Sequence, residues 1–311
     1  DKEAVQEVIK SWANREFGEQ WTLADKYQGV TIKVGDNLTT GHLSPSKNAD
    51  SRTDHPRHAQ FIMDGRADEE DFLERLEELE EAAENVIFVA GKALGEGSSR
   101  KSATYTMLQV LGDPVEGEPE KKAGGVVVAK SFAPIFENSL VASGILPVKC
   151  DTDIISEGDE LELDLEAENL IVNGTEKIEV ELPVEYNLNK IAAGGMTYFD
   201  AGNELQAWAA DYCREVGIDF DETNLPDQAE PADEKPPQTL AQKIVGMNRI
   251  DGKETILPGE TATVEVRGAF SQDTTGPMTL DEYQAMAGGD FGADFVIQSL
   301  CHTGECPSSE A

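Results

Sequence analysis

The chain has 311 residues, 39% of them hydrophobic, with 25 basic against 61 acidic side chains and a formal net charge of −36. That length suits two domains joined by a linker, and no apolar run approaches the roughly 18 residues that a membrane-spanning helix needs. The charge repels nucleic-acid phosphates and so argues against nucleic acid as a partner, while any anionic substrate needs a local cationic pocket that only a few arginines can supply.

From the N-terminus, Asp1-Lys2-Glu3 opens a charged amphipathic helix over 1–20, with Val5, Val8, Ile9 and Trp12 on one face. It reads as the tail of a preceding helical segment. No signal peptide is legible, and the absence of an initiator Met suggests that residue 1 is not the natural start. A strand is expected over 30–34, then a Ser-, Asp-, Pro- and His-rich loop over 39–58. An acidic helix follows, with Phe72, Leu76, Leu79 and Ala83 spaced at three and four. Its glutamates form a solvated face.

A buried strand over 86–90 leads through a glycine-rich turn, 91–97, into a helix beginning near Ser98. Further strands over 126–129 and 145–148 flank a helix through Ile135 and Leu140. Alternation of strands and helices without hairpin signals implies parallel strands with crossover helices. Beyond Cys150, Leu161, Leu163 and Leu165 alternate with charges, and Asn173-Gly174 marks an antiparallel hairpin. A helix over 205–216 closes this domain. Residues 217–238 hold Pro226, Pro231, Pro236 and Pro237 among acids, a linker composition. After it, a strand over 262–266, a helix over 280–287 and a strand over 295–299 read as the truncated start of a second α/β domain.

Cys150, Cys213, Cys301 and Cys306 form no CxxC pair, so reduced thiols in a cytoplasmic protein are expected and metal ligation has little support. The extreme acidity reads as adaptation to high salt or selection for solubility, with a lure for basic partners as the alternative.

The sharpest local feature is Gly95-Glu96-Gly97-Ser98-Ser99-Arg100, placed between a buried strand and a helix. Glycines permit a tight turn and close approach of the backbone to a ligand. The helix N-terminus offers unpaired N–H groups, and the guanidinium can bind a carboxylate through two hydrogen bonds. An anion site follows from these residues; an ordinary glycine turn with a serine cap is the plain alternative. Thr40-Gly41-His42-Leu43-Ser44-Pro45 with Arg52, Gln272 within a polar helix-capping segment, and His302 at a strand end are further candidates. No P-loop, dinucleotide fingerprint or Ser–His–Asp order occurs.

Taken together, Gly97-Ser98-Ser99-Arg100-Lys101-Ser102-Ala103, Ala129-Lys130-Ser131-Phe132-Ala133-Pro134-Ile135-Phe136 and Gly144-Ile145-Leu146-Pro147 resemble the swivel domain of aconitases. Thr40-Gly41-His42-Leu43-Ser44-Pro45 resembles that domain's early substrate loop. Leu240-Ala241-Gln242-Lys243, then Ser271-Gln272-Asp273-Thr274-Thr275-Gly276-Pro277-Met278-Thr279 and Gln298-Ser299-Leu300-Cys301-His302-Thr303, resemble the start of the first catalytic domain. A swivel placed before that domain singles out the bacterial B-type aconitases, and the resemblance runs from about residue 25 to 307.

The resemblance implies an α/β chain. Residues 1–24 would end a preceding helical segment, and 25–216 would be an aconitase-type swivel domain with parallel strands, crossover helices and added antiparallel strands. Residues 217–238 would be an acidic, Pro-rich linker, and 239–311 the start of the catalytic domain. It implies a hydro-lyase of the tricarboxylic acid cycle that interconverts citrate and isocitrate through cis-aconitate, with 2-methylisocitrate as a related substrate. Ser98 would be the base and His302 part of the acid–base relay. Arg52, Ser99, Arg100, Gln272 and Ser44 would bind the tricarboxylate. A [4Fe–4S] cluster is expected for the complete enzyme, with its ligands outside this chain and no metal bound here. The remaining aconitase domains would be partners, and this chain alone would be inactive.

One departure stands out: Gly41 occupies a position where the family carries Asp. The competing expectation is a non-catalytic tricarboxylate-binding or regulatory fragment or subunit. A separate dehydratase small subunit lies between the two, and the segments around Gln272 and His302 argue against it.

Overall fold

The structure is a computed structural model that describes residues 2–16, 23–98, 100–115, 121–225, 238–257, 262–272 and 294–299. The chain divides into two compact units, Asp1–Asp219 and Phe220–Ala311.

The first unit is built on a mixed seven-stranded sheet. Helix α1 (Lys2–Ala13) is shorter than the expected 1–20, and a left-handed residue, Arg15 with φ 60°, turns the chain beyond it. Strand β1 (Lys26–Lys33) follows. The expected loop over 39–58 instead contains α2 (Thr40–Leu43), a 3-10 helix (Ser46–Ser51) and α3 (His55–Ala59). Helix α4 (Phe72–Ala82) matches the acidic helix read from the sequence and leads to β2 (Val86–Ala90). Helix α5 spans Lys101–Leu111 and is N-capped by Arg100 in extended conformation, so it begins later than the expected Ser98. The short strands β3 (Asp113–Pro114) and β4 (Lys122–Ala123) pair with each other.

Strand β5 (Val126–Ala129), helix α6 (Pro134–Ala142) and strand β6 (Leu146–Lys149) continue the alternation. Then come β7 (Glu160–Asp164), β8 (Asn169–Val172) and β9 (Glu176–Glu179). Helix α7 (Glu185–Ala192) and the long α8 (Met196–Val216) close the unit. The sequence reading found only the last half of α8. Met196 and Tyr198 in its first turn are exposed and give no apolar stripe to read.

Sheet order is β6-β5-β2-β1-β7-β8-β9. Pairs β6–β5, β5–β2 and β2–β1 are parallel, and β1–β7, β7–β8 and β8–β9 are antiparallel. The parallel strands read as continuous apolar runs because both of their faces are buried. Phe88, Ala90, Val127 and Ala129 join Leu38, Leu43, Phe72, Met107 and Leu140 in one core. Ile87, Val89, Val126 and Val128 join Leu146, Val148, Leu161, Leu163 and Ile191 in the other. The antiparallel hairpin turns as its residues dictate: Asn173 (φ 50°) and Gly174 (φ 68°) are both left-handed, and Thr175 N–H donates to the Val172 carbonyl.

Helix α1 packs against α8. Arg15 donates to Asn203 (2.7 Å) and Gln206 (3.0 Å), Gln206 donates to the Ala13 carbonyl, and the rings of Trp12 and Trp208 lie 6.3 Å apart. These contacts tie α1 to α8 within the first unit.

In the second unit, α9 (Leu240–Met247) starts with a capping box in which Thr239 and Gln242 bond reciprocally. The strand expected over 262–266 is not formed: Val264 makes only an isolated bridge to Arg249. Strand β10 lies later, at Gly268–Gln272, paired in parallel with β11 (Phe295–Ser299). Gly268 sets that position, because a Cβ there would fall 2.4 Å from the Phe295 ring. The helix expected over 280–287 lies outside the described residues.

Candidate active site

Open parallel sheets bind ligands beyond the C-terminal ends of their strands, and the Gly-Ser-Arg motif leaves β2 there. Backbone hydrogen bonds join the segments following β1, β2 and β5 to one another. Asn37 N–H donates to Lys92 O (2.8 Å), Gly95 N–H to Leu38 O (2.6 Å), Thr40 N–H to Glu96 O (2.9 Å) and Ala133 N–H to Leu94 O (2.8 Å). The sheet's pairing thus continues into its loops and gives them a rigid base.

Two glycines line this floor, and the second leaves no room for any other residue. A Cβ on Gly91 would meet Asp36 Oδ1 at 1.8 Å. Gly95 has φ +84° and its Cβ would enter the Phe136 ring at 2.1 Å, so backbone angle and space both exclude a side chain.

Ser98 is half-buried just past this floor, with its carbonyl accepting from Thr40 Oγ1 at 2.7 Å. Arg100 is also half-buried. Its Nη1 donates to the Ser44 carbonyl (2.9 Å) and its Nη2 to Ser46 Oγ (2.9 Å). Among the described residues its partners are neutral oxygens, and its Nε is buried without a hydrogen bond. Among other arginines of this unit, Arg57 faces Asp50, Arg66 faces Asp68, and Arg75 faces Glu69, Asp71 and Glu157, whereas Arg15 also meets neutral partners, Asn203 and Gln206. Burial alone pulls the Arg100 pKa below the ordinary arginine value. The guanidinium stays charged even so, which leaves a positive charge with no acidic hydrogen-bond partner among the described residues.

Below Arg100 lies a buried polar layer. Ser44 (0% exposed), Arg52 (1%) and His58 (2%) sit together. Ser44 Oγ is 2.8 Å from His58 Nε2 and 2.7 Å from Ser102 Oγ, while Ser51 Oγ is 2.7 Å from His58 Nδ1. His58 has its pKa lowered to about 4, by burial first and then by the charge of Arg52. His42 is also lowered by burial and by Arg66, and its Nδ1 accepts from the Thr39 N–H (3.1 Å). Both imidazoles are therefore neutral near pH 7.

The fold thus brings Ser44 directly onto Arg100 and sets Arg52 beside the residues that hold Ser44. Ser44 and Arg52 lie within the layer, Arg100 reaches it through the Ser44 carbonyl, and Ser98 is tied to Thr40. Gln272 ends β10 in the second unit. Ser99 and His302 lie outside the described residues. The sequence reading missed His58, Ser51 and Ser102, since nothing local distinguishes their polar side chains from ordinary loop residues. Ser102 stood inside the quoted motif without a role.

The described residues, which exclude Cys301 and Cys306, do not suit an iron–sulfur cluster. No group of three or more His, Cys, Asp or Glu among the described residues could hold a metal ion. Burial pushes the Cys150 thiol up to about 12 and raises that of Cys213, opposing the thiolate that ligation requires. No helix among them is long and apolar enough to cross a membrane.

A glycine-floored cationic site beyond a mixed α/β sheet defines an α/β domain with a candidate anion site, and comparison with known proteins supplies its family. The family model described as "Aconitate hydratase 2 N-terminus" matches residues 30–230, and the chain belongs to this family. It is 34% identical over 304 residues to aconitate hydratase B of Helicobacter pylori, covering 97% of this chain and 35% of that protein. It is 33% identical over 178 residues to 3-isopropylmalate dehydratase small subunit 2 of Archaeoglobus fulgidus, covering 56% of this chain and 94% of that one. A crystal structure of 3-isopropylmalate dehydratase from Methanocaldococcus jannaschii aligns with a TM-score of 0.48 at 28% identity, over 59% of this chain and 98% of that one. The chain spans about a third of the length of its aconitate hydratase relatives, 35% to 36% in the Helicobacter pylori and Escherichia coli proteins.

Proposed function

We propose that this chain is the swivel, substrate-gripping part of an aconitate hydratase that interconverts citrate and isocitrate through cis-aconitate in the cytoplasm. The observation that carries the reading is Arg100, a cation with neutral partners in a chain of net charge −36, set beside Ser98 at the head of α5. In this proposal Arg100, Arg52 and Ser99 hold substrate carboxylates, Ser44 fixes Arg100 through its carbonyl, and Gln272 is a further substrate contact. Ser98, as alkoxide, takes the proton from the carbon next to a carboxylate. The C–H electron pair becomes the double bond of cis-aconitate, and the hydroxyl on the adjacent carbon departs as water with a proton from His302. The nearby guanidinium charge and the N–H groups of α5 stabilise the alkoxide. The [4Fe–4S] cluster expected of the complete enzyme takes no ligand from the described residues, and this chain alone is inactive in turnover.

Similarity over nearly all of a small subunit favours a second reading, a dehydratase small subunit acting on a related hydroxy acid. The match to aconitate hydratase B continues past that subunit's length through β10 and β11 and favours the first. The test is Ser98→Ala in the complete enzyme. Turnover should be abolished with citrate binding largely retained. Lost binding with turnover intact at saturation would remove Ser98 from the role of base.

A further inference from the structure

We infer that His58 is a positioning residue of the carboxylate clamp: held between Ser51 and Ser44 as a neutral Nδ1–H imidazole, it fixes Arg52 and Arg100 relative to each other. The inference rests on the reading of those two arginines as the clamp.

Hydrogen-bond direction follows from counting protons. Ser51 Oγ–H donates to the Asn48 carbonyl at 2.8 Å, which uses its one proton. At 2.7 Å from His58 Nδ1 it must therefore accept, so the proton sits on Nδ1. Neutral imidazole then presents Nε2 as an acceptor, and Ser44 Oγ–H donates to it at 2.8 Å. With its proton spent, Ser44 Oγ accepts from Ser102 Oγ–H at 2.7 Å. Every hydroxyl proton is used once and in one direction.

The chain of bonds joins three segments. Ser51 precedes Arg52 at the end of the 3-10 helix, Ser44 ends α2 and gives its carbonyl to Arg100, and Ser102 lies in the first turn of α5. Among the described residues His58, on α3, is the group that touches both serines of the loop. A charge on it would turn the acceptor Nε2 into a donor and reverse the order. Its surroundings oppose that charge: burial, Arg52 and His55 act against it, and only the Asn48 backbone and Asp50 favour it. A merely space-filling histidine needs neither the fixed tautomer nor the link to the Arg100 anchor.

The experiment uses the full chain, with ¹⁵N-histidine and ¹⁵N-arginine spectra, citrate as the probe ligand in calorimetry, and two substitutions. His58→Gln keeps an acceptor near the Nε2 position toward Ser44; His58→Asn keeps a donor near Nδ1 toward Ser51 and loses the Ser44 side. Expected results are an Nδ1–H signal for His58, slow rotation of the Arg100 guanidinium that is freed in His58→Asn but not in His58→Gln, and citrate binding about tenfold weaker in His58→Asn, the effect of one lost buried hydrogen bond. An Nε2–H tautomer overturns the inference without any variant having to fold. So does unchanged Arg100 rotation in a folded His58→Asn, or equal citrate affinity in both variants. If the unsubstituted chain binds no citrate, the clamp reading fails by itself, and the spectra still decide the relay.

Discussion

Replacing Arg100 by Gln tests the clamp most directly, because the structure separates its effect on binding from its effect on folding. Two unit charges about 4 Å apart at an effective dielectric of ~20 attract by about 4 kcal/mol. Half-burial lets solvent screen part of this, and a hydrogen bond involving a charged group nets about 1.5–3 kcal/mol. Taking about 2 kcal/mol, citrate binding should weaken roughly 30-fold. Stability should move little: the variant gives up bonds to Ser44 O and Ser46 Oγ, yet it also removes a desolvated charge and a buried Nε without an acceptor. Arg100→Lys keeps the charge but not the planar fork, so it should fall between the two. Calorimetric titration with citrate at two salt concentrations, beside thermal melts of the same samples, gives both quantities. An Arg100→Gln protein that melts normally and binds citrate with unchanged affinity and salt dependence refutes the reasoning.

Gly95→Ala should destabilise the first unit by about 3 kcal/mol, combining a positive φ with a Cβ 2.1 Å from the Phe136 ring. Thermal melts should then drop by roughly 6–12 °C, and a shift under about 2 °C would show that the loop relaxes freely. Acid should weaken the fold through His58. Its folded pKa of about 4 lies below the ordinary histidine value, so the unfolded chain binds the proton more readily. Stability from this group is complete above about pH 6.5 and falls as pH drops toward 4, by about 3 kcal/mol at most. Denaturant titrations between pH 7 and 4 should show a shallower fall for His58→Gln than for the unsubstituted chain, and parallel curves would contradict it.

The sheet was legible because its signals are local and periodic. Doubly buried parallel strands are continuous apolar runs, Asn173-Gly174 can turn only one way, and the Glu-rich helix carries its apolar stripe at three and four. The helices between Thr39 and His58 were not legible, although the segment carries Ser44, Ser51, Arg52 and His58. Its helices are too short for periodicity to register, and what orders them is tertiary: Thr40 N–H on Glu96 O, Met63 N–H on His42 O and the hydroxyl–imidazole chain. The strand misplaced to 262–266 shows the converse, since alternation there has no neighbouring strand to pair with, and the close approach of Gly268 to Phe295 sets β10 instead.

Gly41 joins these levels. From sequence it was a position where the family resemblance implies an aspartate and the chain has none. In the fold, a Cβ at 41 would stand 3.4 Å from Arg100 Nη1, so an aspartate side chain there could reach the guanidinium directly. The chain carries 61 acidic residues, and several of its other arginines face at least one. Around Arg100 the described partners are instead a carbonyl and a hydroxyl, which orient the guanidinium without neutralising it. In so acidic a chain, a cation kept apart from carboxylates can attract an anion only if nearby acids do not cancel its field. Glycine at 41 is consistent with that requirement, and it shifts the task of orienting Arg100 onto Ser44, and through Ser44 onto His58.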